Sequence, residues 1–308
     1  PNFLIIGAPK SGTTSLYRYL RQHPGIFMPD HKEPHFFAYH SKDLDYRGPG
    51  DDWLNRAAVT GKEAYLDLFA DAPIDAVTGE ASAMYLYEER AAKQIREMCP
   101  GVRLVAVLRN PVDRAYSSFM HLRRDDREPL SSFRDALDAE DLRVQNGYAP
   151  LWHYRRMGLY TEQLARYGDM LDDGRLRVYL FDDLIANPMD VLDDVLHHIG
   201  VDPSVDLDAS KRYNASGVAR SQWLHNFVSR KHPVKEWFKH ILPDSLQETI
   251  GRTIKSANLA DKPRLPDNVR QELAAFYEPE IRRLQDVTGL DVSHWLQGAS
   301  SEERASPT

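Results

Sequence analysis

The segment that most constrains the fold spans residues 3–16, where an apolar run meets a turn of small residues and then a helical pattern. The run Phe3–Ile6 predicts a buried strand, and the apolar spacing beyond the turn is that of a helix. Gly7 and Gly12 lie at the two ends of the turn, which carries a single lysine, Lys10. A strand, a glycine-bearing turn and a helix N-terminus together point backbone N–H groups at a bound phosphate. The segment therefore predicts an α/β protein with a phosphate site, although a tight turn with a solvated lysine would show the same pattern.

The lysine of this turn is not where a nucleotide triphosphatase carries it. The triphosphatase loop reads Gly, any four residues, Gly, Lys and then Ser or Thr. Here Thr13 follows the second glycine, and the lysine lies inside the turn, where it would be beside a bridging oxygen of the phosphate. The pattern Gly-x-x-Lys-x-Gly-Thr-Thr resembles the 5′-phosphosulfate loop of sulfotransferases that use 3′-phosphoadenosine 5′-phosphosulfate (PAPS). By that resemblance, the loop residues that bind the cofactor here are Lys10, Ser11, Gly12, Thr13, Thr14 and Ser15.

A second candidate phosphate site follows a later apolar run. Residues 102–109 predict a buried parallel strand that ends in Arg109; Asn110-Pro111 stops it, and a helical pattern that includes Ser117 follows. Ligands of open α/β sheets bind at the carboxyl ends of the strands, so Arg109 and Ser117 can converge on one anion. In sulfotransferases, an arginine and a serine at this spacing bind the 3′-phosphate of PAPS, which ATP lacks. The resemblance implies the same role for Arg109 and Ser117.

Residues 32–37, Lys-Glu-Pro-His-Phe-Phe, resemble a Lys-Glu-x-His-Phe-Phe run of heparan-sulfate and related carbohydrate sulfotransferases and of bacterial enzymes like them. In those enzymes the glutamate is the general base for the acceptor hydroxyl. Sulfuryl transfer, like phosphoryl transfer, depends on in-line placement and charge stabilisation, and a carboxylate near the hydroxyl assists bond formation. The resemblance implies that Lys10, Glu33 and His35 are catalytic. The alternative is that Glu33 and His35 only organise the loop, which the two phenylalanines anchor in the core.

One departure from the family pattern concerns the next strand. In the heparan-sulfate enzymes a Glu-Lys-Thr-Pro segment follows that strand, and its lysine acts at the active site. The matching segment here begins Gly79-Glu80-Ala81, so the glutamate is kept and Ala81 replaces the lysine. Lys32, His35 or an arginine takes over the role of that lysine, or the acceptor differs enough not to need it. Glu80 is therefore a second candidate for the base.

The composition is that of a globular enzyme without a broad nucleic-acid surface. The 308 residues, 42% of them hydrophobic, suffice for a substantial core. A net charge of −7, from 39 basic and 46 acidic residues, argues against nucleic acid as a partner, although a local basic cleft can still bind a cofactor. Cys99 is the only cysteine, and no apolar stretch approaches the ~20 residues that span a membrane. Since one cysteine cannot form an intrachain disulfide, we predict a cytoplasmic protein. The strand that begins almost at the first residue predicts that there is no signal peptide.

The remaining segments fit a single α/β domain. We predict a P-loop-like domain over residues 1–296, with a central, mainly parallel sheet flanked by helices, and a disordered polar tail at 297–308. Residues 41–62 predict an exposed excursion, and the charged run 123–128 predicts a solvated face that could also flank the acceptor cleft. Asp113-Arg114 is equally consistent with a surface charge pair and with a role at the site. No cluster of His, Cys and Asp has the spacing of metal ligands.

Two further basic residues complete the predicted cofactor site. Lys262 and Arg264 lie in a Pro-rich loop, where related enzymes place a basic loop that closes over the phosphates of the cofactor. The resemblance therefore implies that Lys262 and Arg264 contact PAPS.

Together these motifs predict a PAPS-dependent O-sulfotransferase of a bacterial type that uses no metal. The acceptor is predicted to be a hydroxyl of a small molecule, a lipid or a carbohydrate; a carrier protein and a homo-oligomer stay open as partners. A P-loop kinase or NTPase is one alternative, against which the missing lysine after Gly12 stands. A non-catalytic nucleotide-binding module is the other, and it would not need Glu33.

Overall fold

A parallel sheet of five strands lies at the centre of the computed structural model, which describes residues 1–210, 218–219, 259–260 and 263–297. The strand order is β2-β3-β1-β4-β5, and β6 and β7 form a separate antiparallel pair. The strands are β1 (Phe3–Gly7), β2 (Ile26–Phe27), β3 (Val77–Ala81), β4 (Arg103–Leu108), β5 (Leu176–Leu180), β6 (Val218–Ala219) and β7 (Leu259–Ala260). The predicted P-loop-like α/β fold with a central parallel sheet is confirmed.

Strand β1 lies in the middle of the sheet, and all five of its residues are buried. Strands that are covered on both faces have continuous apolar sequences, so the apolar run of β1 indicates a central position in the sheet. Phe3 is in register with Gly79 of β3 on one side and with Arg103 of β4 on the other. A Cβ at position 79 would lie 2.2 Å from the ring of Phe3, so only glycine fits there.

Helices cover both faces of the sheet. In the described residues they are α1 (Thr13–Leu20), α2 (Phe36–Tyr39), α3 (Asp52–Ala57), α4 (Lys62–Asp67), α5 (Glu89–Met98), α6 (Pro111–Arg124), α7 (Phe133–Asp138), α8 (Glu140–Gln145), α9 (Tyr160–Ala165), α10 (Gly168–Asp172), α11 (Phe181–Ala186), α12 (Pro188–Ile199) and α13 (Asp267–Thr288). None of these helices has the combined length and apolar character needed to span a bilayer. Apart from Gln297, the predicted tail lies outside the described residues.

The core has two parts, one on each face of the sheet, because alternate strand residues point in opposite directions. Phe3 and Ile5 of β1 pack with α1 and α12 on one face. Leu4 and Ile6 pack with the larger cluster on the other face, to which α2, α5, α6, α9 and α13 contribute. The sheet is therefore a central layer between helices, and its strand ends are free to carry the functional loops.

The charged pair Asp113-Arg114 is buried, so its interpretation as a surface pair is wrong. Arg114 donates hydrogen bonds to the carbonyl of Tyr154 and, at 3.3 Å, to Ser118 Oγ. Asp113 accepts a hydrogen bond from Arg270 at 2.9 Å, which ties α6 to α13. These contacts fix the helix that begins directly after Arg109 and carries Ser117.

Candidate active site

A cavity of about 780 Å³ is lined by segments that follow each of the five strands β1 to β5. The carboxyl ends of parallel strands meet at this edge of the sheet, which is the usual ligand site of open α/β folds. The predicted site residues that line the cavity are Lys10, Gly12, Thr13, Thr14, Ser15, Glu33, His35, Arg109 and Ser117. Residues from three separate motifs of the sequence therefore come together around one space.

The loop after β1 has a backbone that requires glycine at its end. Gly12 has a φ of 86°, and a Cβ there would lie 3.0 Å from side-chain atoms of Phe181 and Leu184. The amide of Ala8 donates to the carbonyl of Val107 at 2.8 Å, which fastens the loop to β4. Helix α1 begins directly after Gly12 without a side-chain cap, so the first N–H groups of the helix are available for an anion.

Two loop residues differ in how they meet the cavity. Ser11 is fully buried and does not line it, whereas Lys10 does, with a left-handed backbone φ of 69°. Burial lowers the pKa of Lys10 to about 7, and the charges of Arg124 and Arg109 add to the shift, against the opposing effect of Asp125 and Glu33. The protein therefore disfavours the protonated form of Lys10, and a bound anion would stabilise that form.

Arg109 and Ser117 are both buried and both line the cavity, as predicted from their positions at the carboxyl end of β4 and in the helix that follows. The guanidinium of Arg109 lies 4.5 Å from the ring centroid of Phe181 and donates to the carbonyl of Lys10 at 3.3 Å. The hydroxyl of Tyr160 donates to the carbonyl of Arg109 at 2.8 Å. These contacts hold the arginine against the phosphate loop, in a position to bind an anion that reaches Ser117.

Glu33 and His35 are held at the cavity in left-handed backbone conformations, with φ angles of 62° and 56°. The amide of Glu33 donates to the carbonyl of Ala81 at 3.0 Å, and the amide of His35 donates to Ser82 Oγ at 2.9 Å. Backbone strain of this kind costs roughly 1–3 kcal/mol per residue and is concentrated at functional sites. Hydrogen bonds to the end of β3 thus fix the segment that the sequence predicts to carry the base.

The side chains of Glu33 and His35 have different protonation states. Lys32 Nζ lies 2.5 Å from Glu33 Oε1, and His35 Nε2 lies 3.7 Å from Glu33 Oε2. Burial raises the pKa of the Glu33 carboxyl, but Lys32 and His35 outweigh this, so its pKa lies below the ordinary value. Burial lowers the pKa of His35 to about 4, even though the charge of Glu33 opposes the shift. At neutral pH Glu33 is therefore ionised and His35 is uncharged.

Glu80, the second candidate base, is buried and is not among the residues that line the cavity. Its carboxylate accepts hydrogen bonds from Tyr85 at 2.6 Å, from Ser82 at 2.9 Å and from Tyr65 at 3.4 Å. Burial raises the pKa of Glu80 to about 7, against these hydrogen bonds. Since Ser82 in turn accepts from the amide of His35, Glu80 supports the segment that carries Glu33.

Sequence reasoning missed a buried carboxylate at the cavity, Asp51. It accepts hydrogen bonds from the amide of Ala149 at 2.8 Å, from the indole of Trp152 at 3.0 Å and from the guanidinium of Arg127. The prediction that residues 41–62 form an exposed excursion is wrong at this point, because the segment is clamped to two later parts of the chain. No local pattern could reveal this, since Ala149 and Trp152 are 98 and 101 residues away in sequence.

The charged run 123–128 is only partly a solvated face. Asp125 and Arg127 line the cavity, in agreement with the alternative that this run flanks the acceptor cleft. Glu128 is buried and pairs with Arg143 at 2.7 Å. The end of α6 therefore forms part of the cavity wall.

The two basic residues of the Pro-rich loop are not placed at the cavity. Lys262 lies outside the described residues, and Arg264 is exposed and does not line the cavity. The hydroxyl of Tyr116 donates to the carbonyl of Pro263 at 2.8 Å, so the loop touches α6 one residue before Ser117. Contact of Lys262 and Arg264 with PAPS stays a prediction. Within the described ranges, no group of three or more His, Cys, Asp or Glu residues is placed to hold a metal ion.

The fold and the loop after β1 define a P-loop-like α/β protein with a cavity at the carboxyl edge of its sheet. Residues 1–205, which include the whole five-stranded sheet, match the sulfotransferase family. The chain therefore belongs to the sulfotransferase family and is a sulfotransferase. The predicted membership of the PAPS-dependent sulfotransferase family is confirmed, which removes the kinase and NTPase alternative.

Similarity to individual sulfotransferases extends over nearly the whole chain. Heparan sulfate glucosamine 3-O-sulfotransferase 6 of Mus musculus is 27% identical over 306 residues, which cover 94% of this chain and 72% of that protein. Bifunctional heparan sulfate N-deacetylase/N-sulfotransferase 3 of Homo sapiens is 28% identical, covering 92% of this chain but 32% of that protein. The crystal structure of a sulfotransferase from Alicyclobacillus acidocaldarius is 34% identical, with a TM-score of 0.74, and the alignment covers 96% of this chain and 98% of that one.

Proposed function

We propose that this cavity transfers the sulfuryl group of PAPS to the hydroxyl of an acceptor. The observation that carries the proposal is that Lys10, Arg109, Ser117 and Glu33, which come from three separate segments of the chain, line one cavity. The site fits the cofactor, because the helix that follows Gly12 has no side-chain cap and because Lys10 and the buried Arg109 line the same space. When bound, PAPS would supply the sulfuryl group.

The cofactor half of the proposed site is formed by the loop after β1 and the start of α6. The N-terminus of α1 and the hydroxyls of Thr13–Ser15 would bind the 5′-phosphosulfate. Arg109 and Ser117 would bind the 3′-phosphate, since a hydrogen bond from a guanidinium to a phosphate is roughly twice as strong as a neutral one. The ring of Phe181 under the guanidinium holds Arg109 in place for that contact.

In the reacting half, Lys10 would stabilise the negative charge that builds on the leaving phosphate oxygen. Glu33 would accept the hydroxyl proton on Oε2, because Lys32 occupies Oε1 at 2.5 Å. The uncharged ring of His35, 3.7 Å from Oε2, would orient the carboxylate and the acceptor. Lys32 supplies a cation next to the base and thereby takes the place of the family lysine that is Ala81 here.

The acceptor we propose is a hydroxyl of a small molecule, a lipid or a carbohydrate, either free or carried by a carrier protein. The names of the two mammalian relatives above specify heparan sulfate, which supports a carbohydrate. A net charge of −7 argues against a long polyanionic glycan, which is best bound along a basic surface.

Substitution of the base tests the proposal. Glu33→Gln keeps the size of the side chain but cannot accept a proton, so transfer of radiolabelled sulfate from PAPS should fall roughly 10²–10⁴-fold while affinity for the product 3′-phosphoadenosine 5′-phosphate (PAP) is unchanged. Glu80→Gln is the matched control, and its transfer rate should fall much less at a temperature where the variant is folded. Near-normal transfer by Glu33→Gln together with loss of transfer in Glu80→Gln would move the role of base to Glu80.

A further inference from the structure

One side of the cavity is not explained by the cofactor. We call this side the outer wall; it consists of Gly50, Asp51, Trp53, Leu54, Ala149 and Leu151. The wall is connected to the segment that carries Glu33. The amide of Val59, just beyond α3, donates to the carbonyl of Pro34 at 2.8 Å, and Leu54 packs in the same core cluster as Phe36. An acceptor with its hydroxyl at Glu33 would therefore have its body against the outer wall.

The outer wall presents apolar surface to that body. Trp53 is 56% exposed and lines the cavity, as do the apolar side chains of Leu54, Leu151, Ala149 and, just after β3, Met84. A large exposed aromatic side chain offers much contact area with few rotatable bonds, which makes it an effective surface for a flat apolar group. The hydrogen bonds of Asp51 fix the wall in position, since Asp51 precedes Trp53 by two residues and is held by two later parts of the chain.

The cations near the outer wall are already paired with carboxylates of the same chain. Lys32 lies 2.5 Å from Glu33, and Arg127 is bonded to Asp51. Asp125, which also lines the cavity, accepts a hydrogen bond from a neighbouring arginine at 2.8 Å. An acceptor with sulfate or carboxylate groups would have to break these pairs or lie against the carboxyl groups of Asp51 and Asp125. The wall is thus matched to an uncharged acceptor.

We propose that the acceptor is an uncharged alcohol whose apolar body packs against Trp53 while its hydroxyl lies at Glu33, an inference that rests on the proposed sulfuryl transfer. The hydroxyl oxygen forms a bond to sulfur as the bond from sulfur to the 5′-phosphate oxygen breaks. The electron pair of that bond stays on the phosphate oxygen, and the hydroxyl proton passes to Glu33. The products are a sulfate monoester and PAP. In this respect the chain differs from its relatives named for heparan sulfate.

Binding to the complex of the full chain with PAP tests the inference. The probes are 2-(2-naphthyl)ethanol as an uncharged apolar alcohol and an N-sulfated heparan tetrasaccharide as a charged glycan, each titrated calorimetrically. The alcohol should bind and the tetrasaccharide should not. Trp53→Ala should weaken binding of the alcohol about 10- to 100-fold, because it removes the main apolar surface, whereas Trp53→Phe should retain most of the affinity. Leu142→Ala, at an exposed leucine of α8 outside the cavity lining, is the control and should change nothing.

The results separate this inference from the proposed function. If PAP binds but the alcohol does not, or if the alcohol binds equally well to Trp53→Ala, the inference about the acceptor is overturned and the cofactor site stands. Tighter binding of the tetrasaccharide than of the alcohol likewise overturns it. If PAP itself does not bind, the proposed function fails first.

Discussion

Proton uptake on cofactor binding is the sharpest consequence of the environment of Lys10. In the protein without ligand, burial and nearby arginines lower the pKa of Lys10 to about 7. A bound 5′-phosphate favours the protonated lysine, so the pKa should return toward the usual value of about 10.4. At pH 8 only about one tenth of the free protein carries the proton on Lys10, whereas nearly all of the complex should carry it. Binding of PAP at pH 8 should therefore take up about 0.9 proton.

The sign of the pH dependence follows from the same shift. Because the complex holds more protons than the free protein above pH 7, affinity for PAP should fall as the pH rises. With a pKa of about 7 in the free protein and about 10.4 in the complex, the loss between pH 7 and pH 9 is about 50-fold. Titration calorimetry at pH 8 in two buffers with different ionisation enthalpies gives the number of protons directly.

Lys10→Met is the matched control, because it keeps an unbranched side chain of similar length without a titrating group. It should bind PAP with no uptake of a proton at pH 8 and with nearly constant affinity between pH 7 and pH 9. An uptake below about 0.2 proton in the unsubstituted protein, or the same uptake in Lys10→Met, would refute the reasoning about Lys10.

Two further predictions concern the outer wall and the base. Asp51→Asn should lower the free energy of unfolding by about 1–3 kcal/mol in urea titrations, since it removes the charge of a fully buried hydrogen-bond acceptor that pairs with the partly exposed Arg127. Asp52→Asn, at an exposed neighbour, should change it by less than about 0.5 kcal/mol, and similar losses in both variants would contradict the role of Asp51. Burial lowers the pKa of His35 to about 4, so this residue should cause no inflection of the transfer rate near pH 6.5. The pH profiles of the transfer rate between pH 6 and pH 9 should therefore have the same shape in the unsubstituted protein and in His35→Gln. An inflection near pH 6.5 that His35→Gln removes would show a titrating His35.

The fold and the residues that line the cavity directly after β1 and β4 were predictable because their signals are local. The run Phe3–Ile6 identifies the central strand, and the turn up to Gly12 lies next to it in sequence. Arg109 could be placed as well, since a polar residue at the end of a buried parallel strand must lie at the ligand edge of the sheet. The family assignment followed from the same short motifs.

The other half of the site could not be predicted, because it is formed by contacts between distant segments. Asp51 is held at the cavity by hydrogen bonds to residues about a hundred positions later, and Trp53 follows it two residues on. Asp113 and Arg114 have the composition of a surface pair, and only the packing of α6 against α13 shows that they are buried. Charged residues in a helix do not by themselves reveal which of them a later segment will cover.

The central claim is that Arg109 recognises the 3′-phosphate of the cofactor, and one comparison of affinities tests it. Dissociation constants of PAP and of adenosine 5′-phosphate, which differ only in the 3′-phosphate, should be measured for the unsubstituted protein and for Arg109→Ala. A charged hydrogen bond of this kind is worth about 1.5–3 kcal/mol, so Arg109→Ala should weaken PAP about 10- to 150-fold. Affinity for adenosine 5′-phosphate should change by less than about threefold, because that ligand has no 3′-phosphate for Arg109 to bind. Equal losses for the two ligands would contradict the account and would make Arg109 a structural residue of the phosphate loop.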